Sequence, residues 1–173
     1  MSEKSLSAPE TITVHAIGYI RSPHSDPERT PIQPVFCEGI EGRAEILPAY
    51  EEGLQDIEGF SHLVVLYHLH RTETISLKVK PFLQDQTHGV FATRHPCRPN
   101  RIGLSVLRLI RREGNLLILG DLDILDGTPI LDIKPFVNKF DSRDNTRDGW
   151  IGGVSDEKAQ IRGRRGAATK EQR

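Results

Sequence analysis

Three stretches of this 173-residue sequence gather side chains able to do chemistry. The first is FATRHPCRPNRIG, residues 91–103, where Arg94, Arg98 and Arg101 surround His95 with no acid between them. Pro96 and Pro99 fix φ and stiffen this loop, which lowers the entropy lost when it grips a ligand. Guanidinium forks match carboxylates and phosphates, so the loop reads as an anion site, set against a solvated loop with incidental arginines. The second stretch is GDLDILDGTPILDIKP, residues 120–135, with Asp121, Asp123, Asp126 and Asp132. These aspartates either cap turns, as Asp126-Gly127-Thr128-Pro129 suggests, or accept from a ribose diol or cation, with one pairing Lys134. Their spacing is not that of an EF-hand loop. The third is His62, His68 and His70, which share a face of a regular strand. His62 would lie roughly 20 Å from its partners along such a strand. A polar pocket wall is therefore favoured over a shared metal, and no metal site is expected. A fourth segment, Gly18 to Pro23 with the proline-bounded loop 27–34, marks only a strand that ends in a rigid loop.

The elements that must hold these residues are mostly short strands. Residues 11–20 are rich in β-branched and aromatic types, and Gly42–Leu47 alternate in polarity. In Phe60–His70 the odd positions Leu63, Val65, Tyr67 and Leu69 are all apolar, so one face is buried. Further strands are expected at 89–93, 102–112, 116–119 and 130–133, with a hairpin connection at Glu113-Gly114-Asn115. A short helix is expected over 51–57. Eleven prolines and fifteen glycines punctuate these runs, which favours a mainly β fold, a barrel or a sandwich. Residues 1–10 read as a flexible N-terminus, 11–151 as the β-domain, and 152–173 as a basic, flexible or partner-dependent tail.

Composition excludes several classes. The net charge of −1 rules out binding nucleic acid by bulk charge, though not by a local patch. The longest apolar run, Leu63 to Tyr67, is too short to cross a bilayer, and the first ten residues lack a signal-peptide core. Two cysteines are too few for a disulfide framework or a thiolate zinc site. No phosphate-cradling G-x-x-x-x-G-K-[ST], no dinucleotide fingerprint and no G-x-S-x-G elbow is present. A soluble cytoplasmic protein is expected.

Taken in order, IGYIRSP (17–23), GFSHLVVLYHLH (59–70), GVFATRHPCRPNRIGLS (89–105) and DLDILDGTPILDIKPF (121–136) closely resemble the TrmO (YaeB/VirR-like) family. The resemblance covers roughly residues 15 to 140. It implies a single-sheet antiparallel β-barrel that binds S-adenosylmethionine and forms a homodimer with the cofactor near the interface. It also implies methylation of N6 of N6-threonylcarbamoyladenosine beside the anticodon of tRNA. Carried over residue by residue, it implies a cofactor site of Pro34, Val35, Phe36, His70, Arg71, Arg94, Leu104, Gly120, Asp121, Leu122 and Asp123. His70 and Asp126 are the catalytic-base candidates, and Arg98, Arg101 and Lys134 would hold tRNA phosphates. One departure stands out: the family's R-P-N-P-I-G is R-P-N-R-I-G here, so Arg101 replaces a proline. Longer members carry an extra C-terminal domain, where this chain has its basic tail. A small-molecule acceptor, or a non-catalytic barrel that binds RNA or senses the cofactor, are the competing functions.

Overall fold

Alternation of buried and solvent-facing side chains gives the sheet of this chain one apolar face, and pairing of its first strand with its last closes it. A computed structural model describes residues 10–165. The strands are β1 (Gly18–Arg21), β2 (Glu41–Ile46), β3 (His62–His68), β4 (Lys78–Val79), β5 (His88–Gly89), β6 (Ile102–Glu113), β7 (Leu116–Gly120) and β8 (Pro129–Pro135). Two α-helices follow, α1 (Asn138–Asp141) and α2 (Asp156–Arg164). Six strands form a closed antiparallel barrel in the order β1-β2-β7-β6-β3-β8, and β4 pairs with β5 outside it. Closure leaves the barrel no unpaired edge. The mainly β barrel expected from the sequence is the fold observed.

The long strand β6 explains how six strands suffice. Its first half pairs with β3, from His62↔Arg108 to His68↔Ile102. Its second half pairs with β7, where the register shifts between Leu109 and Arg111. That bulge bends the strand so it can serve two neighbours around a tight barrel. The inward positions Leu63, Val65, Leu107, Leu117, Leu119 and Ile130 are fully buried and form the core with Ile20, Ala44 and Ile46. Each such side chain contributes about 1.5–3 kcal/mol on leaving water. The two-residue link Gly114-Asn115 turns β6 into β7, with Gly114 at φ +60° and the Asn115 amide donating to the Ile46 carbonyl at 2.6 Å.

Several boundaries differ from the sequence reading. The first strand is confined to 18–21, because residues 10–17 have no ladder partner over most of their length. The expected strand at 89–93 is a two-residue bridge followed by a 3-10 turn at Val90–Ala92. The expected helix at 51–57 is two 3-10 segments, Pro48–Leu54 and Ile57–Gly59, separated by Asp56 at φ +65°. The basic tail is not loose over 152–165: α2 docks onto the domain. Residues 1–9 and 166–173, which carry the rest of those two terminal expectations, lie outside the described residues.

At one end of the barrel the connections are short or 3-10 helical. At the other end they are long: 22–40, 69–101 and 121–128. The site lies at that second end.

Candidate functional site

A cleft of about 900 Å³ opens between the barrel end and its long connections. Tyr67, Leu69 and His70 enter it from the end of β3, and Ile102, Gly103 and Leu104 from the start of β6. The loop after β1 supplies Gln33, Val35 and Phe36, and the stiff cationic loop supplies Arg94, His95 and Arg98. Asp123 and Thr128 come from the aspartate-rich turn. Thus the cationic loop, the aspartate-rich turn and, of the three histidines, His70 converge on one cavity.

Asp123 is the polar centre of its floor. The residue is 7 % exposed, and its Oδ1 has no hydrogen-bond partner. Burial pushes its pKa up to about 7, against weaker downward pulls from hydrogen bonds with Ser105 and its own backbone and from the charge of Arg94. A buried acceptor without a donor is costly unless a ligand supplies one. Beside it, Tyr67 Oη and Ser105 Oγ lie 3.2 Å apart. Burial, with Asp123 adding to it, holds the Tyr67 phenol well above its ordinary range. The pair is therefore neutral and hydrogen-bonding at pH 7.

Arg94 donates to the side-chain oxygen of Gln33 and bridges two loops of the cleft. His70 lies within 3.3 Å, Nδ1 to Oγ1, of Thr128. Burial, then the positive charge of Arg71, lowers its pKa, which leaves the imidazole neutral at pH 7. Arg98 spends one nitrogen on the carbonyls of Val90 (3.0 Å) and Thr93 (2.7 Å), and its guanidinium lies 5.8 Å from the Phe91 ring centroid.

Of the implied cofactor residues, Val35, Phe36, His70, Arg71, Arg94, Leu104 and Asp123 line the cleft. Pro34, Gly120, Asp121 and Leu122 do not. Pro34 opens the 3-10 turn that carries Val35 and Phe36. Gly120 is buried at the end of β7, where a Cβ would meet the Arg108 guanidinium at 2.5 Å. Asp121 accepts from the Gly39 amide at 3.0 Å and from Arg108 at 3.1 Å, holding the turn to the barrel. Leu122 is a fully buried core residue.

Of the two base candidates, the structure brings only His70 to the cleft. Asp126 accepts the Ser22 amide at 3.0 Å, the turn-capping role that its Asp-Gly sequence allowed. Of the proposed phosphate contacts, Arg98 lines the cleft, Arg101 donates to the Glu73 carbonyl at 2.9 Å, and Lys134 pairs with Asp132 at 2.6 Å on β8. His62 sits at the far end of β3 against Ser61, so the three histidines share no site. Among the described residues no three His, Cys, Asp or Glu gather as metal ligands.

Sequence reasoning missed Tyr67 and Ser105 as a polar pair, and missed Phe82, Trp150 and Arg165 as cleft residues. The first two are brought together by the ladder register, which strand alternation alone does not give. Register sets Tyr67 opposite Gly103, and a Cβ on that glycine would collide with the phenol ring.

The sequence profile of the tRNA-methyltransferase O N-terminal domain matches residues 19–142. The chain belongs to this family. A probable S-adenosyl-L-methionine-binding protein of Pyrococcus abyssi is 52% identical over 143 residues, covering 83% of this chain and 78% of the relative. The human tRNA (adenine(37)-N6)-methyltransferase is 37% identical over 139 residues, covering 76% of this chain and 32% of the enzyme. A crystal structure of TrmO superposes with a TM-score of 0.70 at 42% identity, covering 81% of this chain and 64% of that one. The chain thus spans about a third of the human enzyme and just under two thirds of the solved TrmO. The profile match spans the cleft-forming connections between β1 and β8.

Proposed function

We propose that this protein binds S-adenosylmethionine in the cleft and methylates N6 of adenine 37 in tRNA, with N6-threonylcarbamoyladenosine as the acceptor. One observation carries the reading: a family of tRNA methyltransferases shares this barrel, and its connections here enclose a deep cavity floored by an orphaned carboxylate oxygen. The residues present fit the donor. Asp123 offers its unmet acceptor to a ribose hydroxyl or an ammonium group, and Arg94 or Arg71 offers forked donors to a carboxylate. Phe36 and Leu104 supply apolar walls suited to an adenine. S-adenosylmethionine, when bound, supplies a methyl carbon made electrophilic by its sulfonium.

The protein's own part is positioning and proton handling. Alignment of donor and acceptor lowers the barrier by about 7–11 kcal/mol in well-oriented reactions. The N6 nitrogen of a urea-like acceptor has a delocalised lone pair, so a base helps. The neutral His70 imidazole at the cleft accepts that proton, its orientation held by Thr128. Arginines around the mouth hold tRNA phosphates. We extend the reading to a cytoplasmic homodimer with the cleft near the interface. The exposed apolar rim of Val35, Phe91 and Leu104 supports the dimer.

The deciding experiment is methyl transfer from labelled S-adenosylmethionine to tRNA carrying or lacking the threonylcarbamoyl group. Transfer only to the modified tRNA is expected. Equal transfer to both would overturn the acceptor, and no transfer to either would overturn the activity.

A further inference from the structure

The family profile ends at residue 142, yet the chain beyond it returns to the cleft. Trp150 donates its indole N–H to the Ala92 carbonyl at 2.8 Å, and its ring stacks on His88 with centroids 4.8 Å apart. Further on, the Ile32 amide donates to the Gly163 carbonyl at 3.0 Å. Gly163 is buried against Phe36, whose ring any Cβ there would strike. Arg162 pairs with Asp85 at 3.1 Å. Arg165 ends the segment with its guanidinium 4.2 Å from the Phe82 ring centroid and one nitrogen donating to the Pro27 carbonyl at 2.6 Å. Trp150, Ile151 and Arg165 all line the cleft.

The sequence of α2, DEKAQIRGR, is polar on nearly every face and carries a glycine near its end. A nine-residue helix of that kind does not hold itself together in water. Its docking contacts hold it, and three of the groups that residues 150–165 grip, Phe36, Phe82 and Ala92, also line the cleft. Docking of this segment and filling of the cleft therefore act on the same side chains. Arg165 keeps further N–H donors beyond the one used on Pro27. Burial draws its pKa down, while Glu28 and Asp26 nearby hold it up, so it stays charged in a partly dry setting. A guanidinium so placed attracts an anionic oxygen more strongly than one in open solvent.

We propose that residues 149–165 form a strap that completes the cleft, with Arg165 binding an anionic oxygen group of the ligand, a carboxylate or a phosphate, and Trp150 anchoring the strap. This rests on the reading that the cleft takes S-adenosylmethionine. Trp150 is the sole tryptophan of the chain, so intrinsic tryptophan fluorescence reports on the strap alone. The full chain is titrated with S-adenosylhomocysteine, followed in parallel by calorimetry, tryptophan emission and hydrogen exchange. Emission shifts with the calorimetric midpoint, and exchange over 150–165 slows. Arg165→Ala weakens binding about tenfold or more and Arg165→Lys weakens it less, while loss of Arg165's own docking contacts reads out separately, as faster exchange over 150–165 in the ligand-free protein.

Methylthioadenosine, which lacks the carboxylate, and tRNA separate the two sources. A loss for S-adenosylhomocysteine but not methylthioadenosine assigns the donor carboxylate. A loss confined to tRNA assigns a phosphate. Heat of binding with unchanged emission, unchanged exchange and undiminished affinity of Arg165→Ala for both ligands would overturn the strap and leave the cleft reading standing. Absence of any heat from S-adenosylhomocysteine would overturn the cleft reading, and the strap with it.

Discussion

Asp123 shows the conflict between stability and ligand binding on the scale of one side chain. Its folded pKa of about 7 stands above the ordinary 3.8, so the folded protein keeps a proton that the unfolded chain releases. Stability therefore falls as pH rises from about 4 to 7, by at most about 4 kcal/mol, and no further above 7. Asp123→Asn removes this dependence. Relative to the parent, its ligand-free melting temperature rises at pH 8 and is nearly unchanged at pH 4, while affinity for S-adenosylhomocysteine falls tenfold or more at pH 8. A variant no more stable at pH 8 than at pH 4, relative to the parent, would mean that the carboxylate is not held raised. His70 allows a different separation. His70→Gln is expected to lower kcat on the order of 10²–10⁴-fold with little change in KM for the donor. An equal loss in donor affinity would make it a binding residue instead. From residue types alone His70 reads as part of a polar pocket wall, whereas Asp123 is one of four aspartates equally able to cap turns, and only the family resemblance sets it apart. Tyr67 and Ser105 were not legible in the sequence, since either type is at home on a strand and only the ladder register brings them together.

Among the elements, the start of β6 decides the shape of the cleft. Gly103 faces Tyr67 across the ladder with no room for a methyl group. Gly103→Ala should push the phenol aside, cost about 1–3 kcal/mol of stability and weaken donor binding, as chemical denaturation and calorimetry would show. The residue before this strand matters for a different reason. Arg101 adopts φ +51°, and its amide donates to the Arg98 carbonyl at 3.2 Å. Proline can do neither. The family's usual proline and the backbone seen here are thus incompatible, and Arg101→Pro should shift the 98–101 turn rather than merely remove a charge. The strands were readable because alternation is a two-residue signal that survives in a single sequence. The 3-10 segments and the docked α2 were not. The position of α2 depends on Phe36, Phe82 and Asp85, which are distant in sequence, and α2 by itself looks like a solvated basic run.

Over the whole molecule, charge is placed rather than abundant. The net charge is −1, and many cations are already paired: Arg21 and Arg43 with Glu45, Arg108 with Asp121, Lys134 with Asp132. Among the described residues that pair with no carboxylate within 4.0 Å, Arg71, Arg94, Arg98 and Arg165 line the cleft and Arg101 sits beside it, while others such as Lys78, Lys139 and Arg143 do not line it. On the proposed function, these arginines draw a polyanion to the cleft end of the barrel although the protein as a whole is not basic. Counterion release makes this measurable. Each phosphate neutralised steepens the fall of log affinity with log salt by about 0.7–0.9. Arg101→Ala should flatten that slope by about one contact and weaken tRNA uniformly, without changing affinity for S-adenosylhomocysteine. Lys134→Ala should change the slope less, because Asp132 already compensates that charge. If instead Lys134→Ala flattened the slope and Arg101→Ala did not, tRNA would approach along β8 and the side of the barrel. The methyl acceptor would then have to reach the cleft from a different direction than the free arginines indicate.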